Sequence, residues 1–133
     1  MNPIDPQQNR PTVILVVPCY NEAGRLKPEV FLERGEAGRD IGFLFVDDGS
    51  TDATPSILAD MASRSGGTIS VLTMKRNLGK ASAVRLGMLA VFERKPEFAG
   101  FWDADLATPL TSVPEFVEVF RARPQVEIGR AHV

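Results

Sequence analysis

Short apolar runs alternate along this chain with longer segments in which apolar residues recur at helical spacing. The short runs cover residues 12–18 (TVILVVP), 41–47 (IGFLFVD), 68–74 (TISVLTM) and 98–103 (FAGFWD). Nearly continuous apolar runs of this length are typical of parallel strands that are covered on both faces. The pattern therefore predicts four strands.

Helical spacing predicts helices over residues 22–35, 53–64 and 80–94. A last helix is expected to start near Ser112, because SVPE has the Ser-x-x-Glu form of a capping box with a proline in the first turn. Strand and helix in alternation predict parallel pairing through right-handed crossovers. We therefore expect an α/β fold, a three-layer α/β/α sandwich around a mainly parallel sheet.

Composition fits one globular domain and excludes several functional classes. The chain has 133 residues, of which 44% are hydrophobic, and a formal net charge of −2 with both signs interspersed. The absence of a broad basic face argues against nucleic acid as a partner. The first ten residues lack the apolar stretch of a signal peptide, and no apolar run approaches the ~20 residues of a membrane span.

The single cysteine, Cys19, lies in an apolar strand context. It is expected to be a small buried apolar residue and not a reactive thiol. A disulfide within the chain is impossible with one cysteine.

Polar side chains follow every predicted strand. The four loops read PCYNE, DDGSTD, KRNLGK and DADLATP. Any one of them could be ordinary, and DDGSTD alone is more often a turn and helix cap than a binding site. The carboxyl ends of parallel strands meet at the edge where open α/β sheets bind ligands. Together the loops predict one site at that edge.

The fourth loop carries two carboxylates, Asp103 and Asp105, separated by one residue. Side chains two positions apart at a strand end point in similar directions, so their charges would lie close together. A hard divalent cation with oxygen ligands, Mg²⁺ or Mn²⁺, would neutralise them and bridge them to a diphosphate. The alternative is a solvated acidic turn.

The motifs VVPCYNE, FVDDGSTD, RNLGKASAVRLG and GFWDADLATP resemble the successive motifs of glycosyltransferase family 2. The resemblance extends over residues 11–129 and implies a nucleotide-sugar-binding domain with the GT-A fold, a Rossmann-like half with strand order 3-2-1-4. Residues 1–10 would then be a flexible lead and residues 130–133 a tail. DADLATP is most similar to members that charge a polyprenyl phosphate carrier with a sugar.

The resemblance also implies roles for the base-binding side of the site. Pro18, Tyr20 and Glu22 would line the nucleobase and ribose pocket. Asp48 would read the base edge, with Asp47 beside it.

Other roles concern the diphosphate. Gly79 would open a helix whose amino terminus faces the phosphates, with positive charge added by Arg76 or Lys80. For Lys80 the alternative is a solvated lysine in the first helical turn. Asp103 would contact the ribose or the metal, and Asp105 would ligate the cation that holds the diphosphate.

Some neighbouring residues are expected to be structural. Gly49 suits a tight turn with positive φ, and residues 50–52 suit the turn and the helix cap. Trp102 is expected in the core or on the strand surface. His132 is expected to be an incidental residue of the tail.

The expected reaction is transfer of a sugar from a nucleotide-diphosphate sugar, with inversion, to an acceptor such as a polyprenyl phosphate. A cytoplasmic location follows from the resemblance, at the inner face of the membrane in the full-length protein. Relatives continue with acceptor-side segments, so the acceptor half, with any general base, is not expected in this chain. Ala107 replaces a polar residue that helps to hold the metal in many relatives.

Other functional classes share fewer features with this sequence. A Walker-type phosphate loop would need glycine where Met74 stands, and the Gly-x-Gly-x-x-Gly fingerprint is absent. A haloacid-dehalogenase-like phosphatase shares the Asp-x-Asp after a strand. A non-catalytic nucleotide-binding or interaction module remains an alternative function for this chain.

The fourth strand is expected at an edge of the sheet, where unpaired backbone groups and apolar side chains can bind another chain. A homo-oligomer is therefore predicted.

Overall fold

The computed structural model describes residues 13–33 and 40–122. The strands are β1 (Val13–Cys19), β2 (Ile41–Asp47), β3 (Ile69–Thr73) and β4 (Phe98–Phe101). The helices are α1 (Pro28–Leu32), α2 (Thr54–Arg64), α3 (Lys80–Glu93) and α4 (Val113–Arg121), the last preceded by a 3₁₀ turn over Leu110–Ser112. The predicted lead and tail, with His132, lie outside the described residues.

The described strands form one parallel sheet with the order β3-β2-β1-β4, as predicted. Val13 of β1 lies opposite Ile41 of β2 and Phe98 of β4. The fourth strand ends earlier than expected because the chain turns at Asp103, whose carbonyl accepts the Leu106 N–H at 3.0 Å. All four strand ends that precede the polar loops therefore lie at one edge.

Alternate side chains of β1 enter two separate apolar layers. Leu15 and Val17 belong to the layer that contains the buried residues of α1, α2 and α4. Ile14 and Val16 belong to the layer under α3. The predicted α/β/α sandwich is therefore confirmed.

Aromatic residues fill much of the first layer. Phe31 meets Phe43 and Phe45 edge-on, with ring centroids 5.2 and 5.0 Å apart, respectively. Trp102 is buried in the same layer, and its indole N–H donates to the Thr108 carbonyl at 2.7 Å. A buried tryptophan needs such an acceptor, and the expectation of a core position for Trp102 is confirmed.

Helix α3 lies close to the sheet at Gly87. A Cβ at this position would overlap the side chains of Val16 in β1 and Val46 in β2. Glycine therefore allows α3 to pack directly on the two central strands.

The first helix is shorter at its start than the sequence predicts. Residue 22 was the expected start, but the N–H groups of Arg25 and Leu26 both donate to the Glu22 carbonyl at 2.9 Å and close a turn. The helix begins at Pro28, whose fixed φ suits a first helical position and whose missing N–H costs nothing there.

The last helix starts where the sequence predicts, but the prediction of a capping box at Ser112 is wrong. Ser112 has φ −75° and ψ −19° and makes no side-chain cap hydrogen bond. A capping serine needs an extended backbone. Here the 3₁₀ turn runs directly into α4, so Ser112 is already helical.

Candidate functional site

A cleft of about 400 Å³ opens at the carboxyl ends of the strands. All four polar loops contribute to it. Its lining consists of Pro18, Cys19, Tyr20, Glu22, Asp48, Asn77, Gly79, Lys80, Asp103, Ala104 and Asp105. The structure thus brings together every site residue expected from the sequence except Asp47 and Arg76.

Asn21 joins the loops after β1 and β2. Its side-chain oxygen accepts the N–H groups of Thr51 at 2.8 Å and Asp52 at 3.3 Å, and its own N–H donates to the Ser50 hydroxyl at 2.9 Å. Asn21 has φ 51°, a left-handed conformation that asparagine tolerates better than most residues. The turn residues 50–52 therefore fix one wall of the cleft and do not line it.

Asp52 completes this connection. Its carboxylate accepts the N–H groups of Thr54 at 2.8 Å and Ala23 at 3.2 Å. Hydrogen bonding from Thr54, with a contribution from Ala23, holds the pKa of Asp52 below its usual value. Asp52 is consequently a charged connection between two loops, which agrees with the turn role expected for it. The cap position of α2 is Ala53, without a side-chain cap hydrogen bond, so the expected cap role is wrong.

Asp48 holds the loop between β3 and α3. One carboxylate oxygen accepts the Leu78 N–H at 2.8 Å, and the other accepts the Gly79 N–H at 2.9 Å and the Asn77 side-chain amide at 3.2 Å. The Asp48 residue is only 3% exposed. The carboxylate expected at a base edge therefore also organises the loop beside it.

Asn77 was not singled out from the sequence, although it stands inside the quoted RNLG motif. It lines the cleft, and its amide also donates to the Asp48 backbone carbonyl at 3.2 Å. The sequence indicates this role of Asn77 by an amide side chain that stands two residues before the glycine preceding α3.

Gly49 lets the second and third loops approach each other. It has φ 70°, and a Cβ there would overlap the backbone of Arg76 and Asn77. The positive φ expected at Gly49 is confirmed, and the close backbone contact gives a second reason for glycine.

Asp47 and Arg76 lie apart from the cleft lining. Asp47 is buried, and its carboxylate accepts the Ser50 N–H at 3.0 Å, because the tight turn directs this N–H back towards the strand end. Arg76 is exposed on the loop after β3. Asp47 therefore follows the expectation that it stands beside Asp48, and the expected contribution of Arg76 to the charge near the diphosphate stays a prediction.

Lys80 and Asp103 form an ion pair across the cleft. The ammonium nitrogen lies 2.7 Å from one Asp103 oxygen, and the side chains are 62% and 49% exposed. Lys80 is the first residue of α3 and Asp103 follows β4, so the pair connects two loops. Lys80 of the protein therefore supplies the positive charge that pairs with Asp103.

Asp105 faces the same cleft as Asp103. One of its carboxylate oxygens accepts the Ala107 N–H at 3.0 Å. This local hydrogen bond turns the chain after the carboxylate and uses the backbone of Ala107, the residue that lacks the polar side chain of many relatives.

The donor set of the cleft fits a divalent cation that is shared with a ligand. Asp103 and Asp105 offer hard oxygen donors. Within residues 13–33 and 40–122, no group of three or more His, Cys, Asp or Glu side chains comes together that could hold a metal. The two aspartates can therefore provide part of a coordination shell, and a diphosphate and water would have to provide the rest.

Tyr20 and Glu22 line the cleft on the β1 side. Tyr20 is 44% exposed, so its ring is accessible to a planar ligand. Glu22 is largely buried and pairs with Arg25, whose Nε lies 2.9 Å from its carboxylate. This side combines an aromatic face with a fixed carboxylate.

Cys19 lines the cleft as a buried neutral thiol. Burial, with smaller contributions from the charges of Glu22 and Asp47, raises its pKa to about 12. A thiol with this pKa is protonated near neutral pH and is a poor nucleophile. The interpretation of Cys19 as a buried apolar residue is confirmed.

None of the helices within the described ranges is long and apolar enough to cross a membrane.

Residues 14–133 match the family described as Glycosyl transferase family 2. The match includes all four polar loops.

Curated relatives carry the name undecaprenyl-phosphate 4-deoxy-4-formamido-L-arabinose transferase. The protein from Enterobacter sp. (strain 638) is 35% identical over 109 residues, which cover 79% of this chain and 32% of the relative. That from Pseudomonas aeruginosa (strain LESB58) is 37% identical over 112 residues, 80% of this chain and 31% of the relative. The chain thus spans about a third of the length of these relatives.

Solved structures share the fold. The mannosyltransferase PcManGT from Pyrobaculum calidifontis, in complex with GDP-Man and Mn²⁺, superposes with a TM-score of 0.67 at 27% identity, over 87% of this chain and 34% of that protein. Residues 1–349 of TarS from S. aureus, in complex with UDP, superpose with a TM-score of 0.58 at 21% identity, over 83% of this chain and 33% of that segment, and support the fold alone.

Proposed function

Because this chain belongs to glycosyltransferase family 2 and has its GT-A fold, we propose that it binds a nucleotide-diphosphate sugar and forms the donor side of a sugar transferase. The main observation that supports this proposal is that Asp103 and Asp105 line the same cleft as Tyr20, Asp48 and the start of α3. Family membership speaks against the phosphatase alternative.

The β1 side of the cleft is proposed to bind the base and ribose. Pro18, Tyr20 and Glu22 line it, and the exposed Tyr20 ring offers a stacking surface. An ionised carboxylate has about four acceptor positions. Asp48 can therefore hold its loop and still accept a hydrogen bond from a base N–H, while Asp47 fixes the turn beside it.

The opposite side is proposed to bind the diphosphate. Asp103 and Asp105 would hold Mg²⁺ or Mn²⁺, and Lys80 and Arg76 would add positive charge near the start of α3. When bound, a divalent cation stabilises the negative charge of the departing diphosphate as a Lewis acid. PcManGT was solved with GDP-Man and Mn²⁺, which supports this arrangement.

The proposed acceptor is a polyprenyl phosphate, the class of carrier in the names of the curated relatives. An acceptor phosphate oxygen would form the new bond to the anomeric carbon while the bond to the donor diphosphate breaks. In-line attack inverts that carbon. An acceptor phosphate is already anionic and needs no general base. A lipid-linked acceptor would place the whole protein at the cytoplasmic face of a membrane.

Calorimetry with UDP and GDP, each with Mn²⁺ and with a chelator, tests donor binding. We expect one of the two nucleotides to bind more tightly with Mn²⁺. A transfer assay with the matching radiolabelled nucleotide sugar and polyprenyl phosphate follows. Binding without transfer would favour the non-catalytic nucleotide-binding module, and no binding of either nucleotide would contradict the proposal.

A further inference from the structure

Lys80 occupies one of the two carboxylates proposed to hold the cation. Its ammonium group lies 2.7 Å from an oxygen of Asp103, a distance typical of a strong charge-assisted hydrogen bond. Asp105 instead accepts a backbone N–H from its own loop. A cation that used the bonded Asp103 oxygen would have to displace Lys80.

The charges of these three side chains make joint binding of cation and diphosphate favourable. Two aspartates and one lysine give a formal charge of −1 at this point of the cleft. A divalent cation alone would change it to +1, and the diphosphate of a nucleotide sugar alone would change it to −3. When both arrive together, the charge stays at −1.

Lys80 has a position from which it can change partners. It is the first residue of α3, its side chain is 62% exposed, and the loop before it is fixed by the hydrogen bonds of Asp48 to Leu78 and Gly79. The flexible lysine side chain can therefore move while its backbone stays in place.

We propose that Lys80 takes the place of the cation on Asp103 until a donor diphosphate arrives, so that cation and nucleotide bind cooperatively. Lys80 then moves from the carboxylate to the diphosphate, and Asp103 becomes a cation ligand. The inference rests on the proposed function, since it requires a diphosphate and a cation in the same cleft.

The first experiment titrates the protein with Mn²⁺ in the absence of nucleotide. The electron paramagnetic resonance signal measures the concentration of free Mn²⁺. Lys80→Met removes the competing charge and should tighten Mn²⁺ binding by about twofold to tenfold. Lys80→Gln should do the same. The matched control is Lys75→Met, on the loop that precedes α3 but outside the cleft lining, which should leave the affinity unchanged.

The second measurement repeats the titration with saturating UDP or GDP. The parent protein should gain more affinity for Mn²⁺ on adding the nucleotide than Lys80→Met does. In an Asp103→Asn background, Lys80→Met should give a clearly smaller gain without nucleotide, because the pair no longer exists and only the longer-range repulsion between Lys80 and the cation is removed. Circular dichroism of each variant confirms folding, which the exposed positions of both side chains should preserve.

The outcomes separate this inference from the proposed function. If Lys80→Met and Lys80→Gln bind Mn²⁺ alone no more tightly than the parent, or if the gain is equally large with Asp103→Asn, the placeholder role is wrong. If Mn²⁺ binds as expected but neither nucleotide binds, the proposed function fails while the competition between Lys80 and the cation stands.

Discussion

Asp48 shows how one side chain fixes the shape of the cleft. Its two carboxylate oxygens accept three N–H groups from residues 77–79, the loop that precedes α3. Lys80, the first residue of α3, contacts Asp103. The sequence places Asp48 at the end of a strand, but its partners belong to a loop that follows another strand. A contact of this kind depends on the distance between loops, which residue patterns do not contain.

Asp48→Ala is predicted to destabilise the fold as well as weaken binding. Removing the carboxylate leaves three N–H groups without their acceptor, at a cost of about 1–3 kcal/mol. Urea unfolding measures the loss, and calorimetry should show weaker binding of the bare nucleoside. Asp60→Ala, on the exposed surface of α2, is the control and should change stability by less than about 0.5 kcal/mol. An equal loss in both variants would contradict the organising role.

Asp105→Asn is predicted to weaken nucleoside-diphosphate binding in Mn²⁺ by about tenfold or more, since even outer-shell changes at metal sites cost 10–100-fold. In chelator the effect should be much smaller, because the lost charge acts through the cation. Calorimetry under both conditions measures the difference, with Asp60→Asn as the matched control. Equal affinity of Asp105→Asn and parent in saturating Mn²⁺ would remove Asp105 from the proposed ligands.

Cys19 is predicted to make the protein less stable at alkaline pH. The thiol has a pKa of about 12 when folded and 9.0 as its ordinary value, so the unfolded chain loses the proton first. Its stabilising contribution is complete below pH 9 and is lost as the pH rises towards 12. Between pH 8 and pH 10, the free energy of unfolding should fall by about 1 kcal/mol more in the parent than in Cys19→Ala. Urea unfolding under reducing conditions measures both, and parallel pH profiles would show that Cys19 does not contribute.

At the scale of elements, apolar patterning predicted the strands and most helices because each run is buried on both faces or on one helical side. The start of α1 could not be read from this pattern, since the backbone turn at Glu22 and the position of Pro28 decide it. The convergence of four loops was predictable from parallel topology. The Lys80–Asp103 pair was not, because the two residues follow different strands and residue patterns do not contain the distance between them.

Gly87→Ala is predicted to destabilise the packing of α3 on the sheet. The added methyl group would overlap Val16 and Val46, which costs about 1–3 kcal/mol, while alanine returns about 1 kcal/mol of helix propensity. A net loss of about 1 kcal/mol should appear in urea unfolding. Gly24→Ala is the control, because a Cβ there meets nothing within 4 Å. A stabilised Gly87→Ala protein would mean that α3 can shift outward at little cost.

For the whole molecule, β4 has no neighbour on its outer side among the described strands. An unpaired edge offers backbone hydrogen-bonding groups to another chain. We therefore predict self-association at micromolar concentration, measured by light scattering over a dilution series. Phe98→Lys, on the edge strand, should reduce the measured mass, whereas Phe92→Lys, on the exposed face of α3, should not. Because the Phe98 ring packs against Phe120 of α4, circular dichroism must show that the variant is folded. A monomer at all concentrations would contradict the prediction.

The pairing of β1 with β4 also affects how the protein is made. β1 is a central strand of the sheet, yet its Val13–Val16 segment finds one of its two partners only at Phe98–Phe101, after both β2 and β3 in the sequence. During synthesis, the ribosome therefore releases a valine-rich strand long before that side of it can be covered. Contacts between residues that lie so far apart in the sequence slow folding, and the intermediates expose apolar surface that favours aggregation. Until β4 emerges, the nascent chain therefore exposes the Val13–Val16 edge that β4 later covers.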